Sequence, residues 1–414
     1  MMFLIGRVTL GRRFSTAVAR RAEDIMANPD CRPEDICMRV SYLGGVGDGN
    51  TAAKYARLAV FSRSEPEYTA TTCQHIIGSM LQEKRHKDAY DLYDYFFKQH
   101  ELTPNSQCCN YMIESRFQQG LVEEALDFHR SITPGMASGY PSKDTLRVLT
   151  KGLVHSGRLD QAEALLKART TVDRFIFPDH VAFNNLIRGY LDLGNLDKAN
   201  LVLHEFKRML SSSIARSKST YEFFNDNYPG YENSVTFLTA TFMDYWFKQG
   251  KEVEAMECYN QSLLRANKLP VCPETGNALL KVLLRYGKKY HAWALYHQMF
   301  DQSGTDSNRR LQVGTVHIMV NECFDMGRCS EAIETYNKAG FSTGGYIITS
   351  CFQNGFLSEA DSLFAFADSL AHGPASASFK PILHAYLKAG RIDDALESSN
   401  KMIDAALKEV SDLF

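Results

Sequence analysis

The stretch NNLIRGYLDLGNLDKANLVLHEFKRM, from Asn184 to Met209, carries two apolar stripes separated by one glycine. Leu186, Ile187 and Tyr190 recur at the spacing of one helical face, which predicts a first helix ending near Gly194. Gly194 stands where a chain leaving a helix needs positive φ. Beyond it Ala199, Val202, Leu203 and Phe206 form the stripe of a second helix, with the alanine at the closest crossing of the two backbones. A helical hairpin of this kind buries one face against its own partner and needs neighbours for the rest.

Neighbours of the same design run through most of the chain. A glycine followed five residues on by an alanine recurs at Gly120/Ala125, Gly157/Ala162, Gly194/Ala199, Gly250/Ala255, Gly287/Ala292, Gly327/Ala332, Gly355/Ala360 and Gly390/Ala395. Lys84/Ala89 is a ninth copy with the glycine replaced. Successive turns lie 36, 37, 37, 56, 37, 40, 28 and 35 residues apart, so one helical hairpin fits each step. The fold class predicted is all-α, a right-handed α-solenoid of helix-turn-helix repeats over residues 71–405. The 56-residue step holds an insertion at about 211–234 that is Ser-rich and then aromatic, predicted as a surface loop. The 28-residue step requires a trimmed helix or a tight connection. Residues 23–70 read as a helical cap or degenerate repeat around GGVGDGN, and residues 406–414 as a C-terminal tail.

Tetratricopeptide units have a similar length but keep an early Trp. Here the glycine marks the hairpin turn, and Asn stands ten residues before it at Asn110, Asn184 and Asn277. VAFNNLIRGYLDLGNLDKANLVL resembles, almost position by position, the pentatricopeptide repeat pattern V-T-Y-N-x-L-I-x-x-Y-x-x-x-G-x-x-x-x-A-x-x-L-F. ATFMDYWFKQG, TGNALLKVLLRYGKK, VNECFDMGRCSEAI and AYLKAGRIDDA further resemble the repeat region of the plant glutamine-rich members of that family. The chain stops at Asp412-Leu413-Phe414 without their Trp-Gln-Gln-repeat tail.

The N-terminus reads as an address. Residues 1–22 contain Arg7, Arg12, Arg13, Arg20 and Arg21 and no acid, the composition of an organellar transit peptide. Arg13-Phe14-Ser15 resembles a plant mitochondrial cleavage site, so the mitochondrion is the predicted destination, with the chloroplast as the alternative. Cleavage after Phe14 would remove three Arg and take the formal charge of the 414-residue chain from −2 to −5. A balance so near neutral, then acidic, excludes RNA binding by bulk electrostatics alone. Ten Cys without a C-x-x-C pair point to a reduced compartment and to no metal site. Nucleotide-binding glycine motifs, a serine nucleophile elbow and the zinc deaminase pattern are all missing. The chain reads as a non-enzyme without cofactors or a membrane span.

The resemblance implies RNA binding, with two side chains per repeat facing one base. One is the residue ten before the turn glycine, here Gln74, Asn110, Arg147, Asn184, Ala240, Asn277, His317, Gly345 and Lys380. The other lies five before the equivalent residue of the next unit. Asn105, Ser142 and Asp179 then pair with Gln74, Asn110 and Arg147. Base reading is expected of Gln74, Asn105, Asn110, Ser142, Asp179, Asn184 and Asn277, and phosphate contact of Arg147 and Lys380. Ala240 and Gly345 can make no side-chain hydrogen bond. The leading expectation is a non-catalytic adaptor in mitochondrial RNA processing or editing, binding single-stranded mRNA or rRNA beside processing or editing factors. The alternatives are a structural subunit of the mitochondrial ribosome, among ribosomal proteins, and a protein-only scaffold.

Overall fold

The computed structural model describes residues 32–45, 47–61, 66–132, 142–172, 178–217, 230–266, 271–303, 312–339, 345–368, 382–383, 386–387 and 390–411. The transit-peptide expectation for residues 1–22, the centre of the insertion at 218–229 and Lys380 lie outside these. Among the described residues there are helices and turns and no strand. The chain divides into two units, Met1–Ser156 with Val410–Phe414, and Gly157–Glu409.

In the first unit α1 (Pro33–Gly45) and α2 (Gly49–Ala56) precede three first helices, α3 (Pro66–Gln82), α5 (Ser106–Gln118) and α7 (Lys143–His155). Their partners are α4 (His86–Tyr93), which continues into a π-helical turn at Asp94–Gln99, and α6 (Val122–Ile132). In the second unit α8 (Leu159–Val172) is followed by three hairpins. These are α9 (His180–Asp192) with α10 (Leu196–Ser217), α11 (Gly230–Lys248) with α12 (Glu252–Ala266), and α13 (Pro273–Arg285) with α14 (Lys289–Ser303). Two shorter hairpins follow, α15 (Val313–Asp325) with α16 (Cys329–Lys338) and α17 (Gly345–Gln353) with α18 (Leu357–Asp368). The last helix is α19 (Ile392–Ser411). The 28-residue step is accommodated by trimming, since α16 has 10 residues and α17 has 9.

The recurring glycine and alanine do what their spacing predicts. All eight turn glycines have φ between 71° and 83°, and Lys84 takes the same left-handed conformation at 59°. At Gly194 the glycine amide donates to Leu191 O at 2.9 Å and the next amide, Asn195 N, to Tyr190 O at 2.8 Å. These two bonds close the first helix and satisfy carbonyls that would otherwise be orphaned. The second helix starts at once, with Ala199 N donating to Asn195 O at 3.1 Å. The alanine is therefore in the first turn of the second helix, where the backbones diverge least. Ala89, Ala125, Ala162, Ala199, Ala255, Ala292, Ala332 and Ala360 are all 0% exposed.

The apolar stripes supply the core. Leu186, Ile187, Tyr190, Val202 and Phe206 are buried in the hairpin first read, as are Leu279, Leu280, Leu283, Leu295 and Tyr296 in that of α13 and α14. Within each unit the first helices pack side by side, α3 to α5 to α7 and α9 to α11 to α13 to α15, while each second helix packs behind its own first helix. Residues 211–217 of the insertion are helical rather than loop, since they continue α10, and the segment from Gly230 already belongs to α11. The apolar Leu210 and the Ser213 side chain are buried there, so packing overrides the weak helix preference of serine.

Candidate nucleic-acid interface

The layer of first helices places one residue of each hairpin at an equivalent register. Asn110, Arg147, Asn184, Asn277 and His317 are each the fifth residue of α5, α7, α9, α13 and α15. Five residues earlier, where the chain enters the helix, sit Asn105, Ser142 and Asp179, each expected to pair with the reader of the preceding hairpin. Asn105 Oδ1 accepts from Cys108 N at 2.8 Å, Ser142 Oγ from Thr145 N at 3.1 Å and Asp179 Oδ1 from Ala182 N at 2.9 Å. All three are N-caps, so local helix chemistry accounts for their residue types before any ligand does. Cys272 and Gln312 hold the equivalent places before α13 and α15 without a side-chain cap bond to the backbone. Counting five back from Asn277 and His317 locates them, because each first helix restarts the register.

The side chains ten residues before each turn differ in what surrounds them. Gln74 Oε1 accepts from Asn105 Nδ2 at 3.0 Å, so the first expected pair is closed on itself. Asn184 is buried, and its Oδ1 accepts from Thr241 Oγ1 at 2.6 Å. Arg147 lies 3.3 Å from Asp144 at a partly exposed site. Asn110, by contrast, is buried with no partner for Oδ1, and Asn277 Oδ1 and His317 Nε2 are buried and unpartnered as well. An orphaned buried acceptor costs about 1–3 kcal/mol. Asn110 Oδ1, Asn277 Oδ1 and His317 Nε2 share one register position on the first helices. An amide that turns about Cβ–Cγ offers either an acceptor or a donor there.

Other charges on the first helices are paired across hairpins. Asp244 is buried and bonds Arg285 at 2.6 Å and Lys248 at 3.0 Å. Burial alone would raise its pKa, but the two cations outweigh burial and hold it below the ordinary carboxylate value. Lys151 reaches Glu114 at 2.9 Å, and Lys289 reaches the buried Glu322 at 2.7 Å. At the starts of α9 and α13, His180 Nε2 lies 3.3 Å from Glu274 Oε2, with the Phe237 ring of α11 against the imidazole. Burial lowers the His317 pKa, so its ring is neutral at physiological pH. Cys108, Cys109, Cys323 and Cys329 are buried, and burial pushes the nearby Cys73 thiol up to about 12. Among the described residues no group of His, Cys, Asp or Glu could hold a metal, and no helix is long and apolar enough to cross a membrane.

Comparison with known proteins places these hairpins in a family context. Residues 181–209 match the sequence profile described as PPR repeat. A mitochondrial pentatricopeptide repeat-containing protein of Arabidopsis thaliana is 61% identical over 421 residues, covering 100% of both chains. A second pentatricopeptide repeat-containing protein of Arabidopsis thaliana is 40% identical over 132 residues, 29% of this chain and 14% of that one. Among solved structures, PPR10 in complex with an 18-nt psaJ RNA element matches at 16% identity and TM-score 0.33, covering 95% of this chain and 63% of that chain. PPR10 from maize matches at 13% identity and TM-score 0.34, covering 94% and 66%.

Proposed function

Because the chain belongs to the pentatricopeptide repeat family, we propose that it binds single-stranded RNA on the layer of first helices, and that it acts without catalysis of its own as an adaptor in mitochondrial RNA processing or editing. The observation that carries the reading is the shared register of two asparagine oxygens without a hydrogen bond inside the chain, Asn110 Oδ1 and Asn277 Oδ1. Base edges offer the donors and acceptors such atoms need, and a polar side chain repeated at one register meets one base at a time. The Arg-rich start and the full-length mitochondrial relative support the compartment. With a formal charge of −2, affinity comes from such local contacts rather than from a phosphate-attracting field.

Crosslinking of the purified protein to RNA tests this. The wild type is expected to crosslink, and Asn110→Ala/Asn277→Ala to lose on the order of a hundredfold in affinity, about tenfold for each of the two matched contacts. Equal crosslinking by both, or none by either, would reject the reading. A second reading is favoured by Ala240 and Gly345, which offer no side-chain hydrogen bond: a ribosomal subunit that follows rRNA shape needs few base readers. Co-sedimentation with mitochondrial ribosomal subunits through high salt would choose that reading over the adaptor.

A further inference from the structure

At two readers the side chain in contact comes from the next hairpin, one place beyond that hairpin's own residue ten before the turn glycine. Thr241 follows Ala240 and bonds Asn184, and Tyr346 follows Gly345 and covers His317. The Thr241 hydroxyl is buried and donates to Asn184 Oδ1 at 2.6 Å, occupying the oxygen a base would use. The Tyr346 ring lies 8° from parallel to the His317 imidazole, with centroids 3.3 Å apart. The two rings are stacked face to face, so Tyr346 covers the imidazole face.

The same position elsewhere matches which reader oxygens lack a hydrogen bond inside the chain. After Asn277 it is Ile318 and after Asn110 it is Val148, aliphatic residues that cannot hydrogen-bond, and both asparagine oxygens are unpartnered. After Gln74 it is Tyr111, an aromatic residue like Tyr346 but differently seated. Its ring lies against Gly78, where a Cβ would come within 3.0 Å of it. Asn321 occupies the position of Gly78 in α15, one turn beyond His317, and its Oδ1 accepts from the Tyr346 hydroxyl at 2.8 Å. With that floor filled and its hydroxyl tied, the Tyr346 ring rests on His317.

We propose that Thr241 and Tyr346 are occluding residues that take Asn184 and His317 out of base contact, leaving Asn277 as the reading side chain of the second unit. This rests on the RNA reading above and adds a rule to it: the reader of one hairpin is switched on or off by the residue beside the reader of the next.

Selection of full-length protein variants against a randomised single-stranded RNA pool tests it. In the wild type a base preference should vanish with Asn277→Ala and remain unchanged with Asn184→Ala. Thr241→Val, which replaces the hydroxyl by a methyl and so removes the hydrogen bond, should add a new preferred nucleotide with discrimination on the order of tenfold. Thr241→Val/Asn184→Ala should remove it again, and Thr241→Ser, which keeps the hydroxyl, should match the wild type. Tyr346→Ala should likewise add a position that Tyr346→Ala/His317→Ala loses. A base preference erased by Asn184→Ala alone, or no new position in a Thr241→Val protein with wild-type helicity and melting, would overturn the inference. A wild type that binds no RNA would instead overturn the functional reading, and this inference with it.

Discussion

Lys84 is the clearest test of the turn at the scale of one residue. It holds φ 59° where the other eight hairpins use glycine, and its side chain pays for a left-handed conformation that glycine adopts freely. Lys84→Gly is expected to stabilise the first unit by about 1 kcal/mol, read as a shift in denaturant midpoint at unchanged slope. The converse, Gly194→Ala, should cost about 1–2 kcal/mol although nothing lies within 4 Å of the added methyl, because the cost is backbone and not packing. Both turns were legible in sequence, since positive φ is a local demand that few residues meet. The state of the asparagines was not: Asn110 and Asn184 share a residue type and a register, yet one oxygen is orphaned and the other is bonded by a residue 57 positions away.

Elements meet through small residues and paired charges. Ala199 is fully buried where α10 starts against α9, so Ala199→Leu should destabilise by about 1–3 kcal/mol through overpacking, measurable by urea unfolding. The Asp244 staple between α11 and α13 carries a pH signature. Its folded pKa lies below the unfolded one, so its stabilisation is complete above about pH 4 and is lost as pH falls through the folded value. Because Arg285 and Lys248 are at least half exposed, screening limits the contribution to about 1 kcal/mol. Asp244→Asn should lower stability at neutral pH by that amount and flatten the acid limb of the stability curve; an unchanged limb would show the pair to be idle. The Arg285 partner could not be assigned from sequence, because it comes from another helix 41 residues on, whereas Lys248 stands at i+4 on the helix of Asp244 itself.

Across the whole molecule, the charge balance of −2 limits how RNA can be held. If Arg147 and Lys380 are the phosphate contacts, log K should fall against log salt with a slope near −1.4, about −0.7 per phosphate neutralised on a single strand. A titration between low and moderate salt checks this, and a slope of −4 or steeper would demand a basic surface that the sequence does not display. The N-terminal 22 residues fused to a fluorescent protein should reach mitochondria; delivery to chloroplasts would reject that part of the reading.

The hairpin array was determined by the sequence alone. Apolar periodicity, a glycine with one permitted conformation and an alanine at a close crossing act within about 25 residues, and each copy repeats the statement. Tertiary structure alone decided which fifth-register side chains are free. That choice is made by the next hairpin, across repeat steps whose length changes from 28 to 56 residues. It also turns on single atoms, a hydroxyl at Thr241, a ring at Tyr346 and a methyl surface at Ile318, whose reach is set by how the first helices pack and not by their order along the chain.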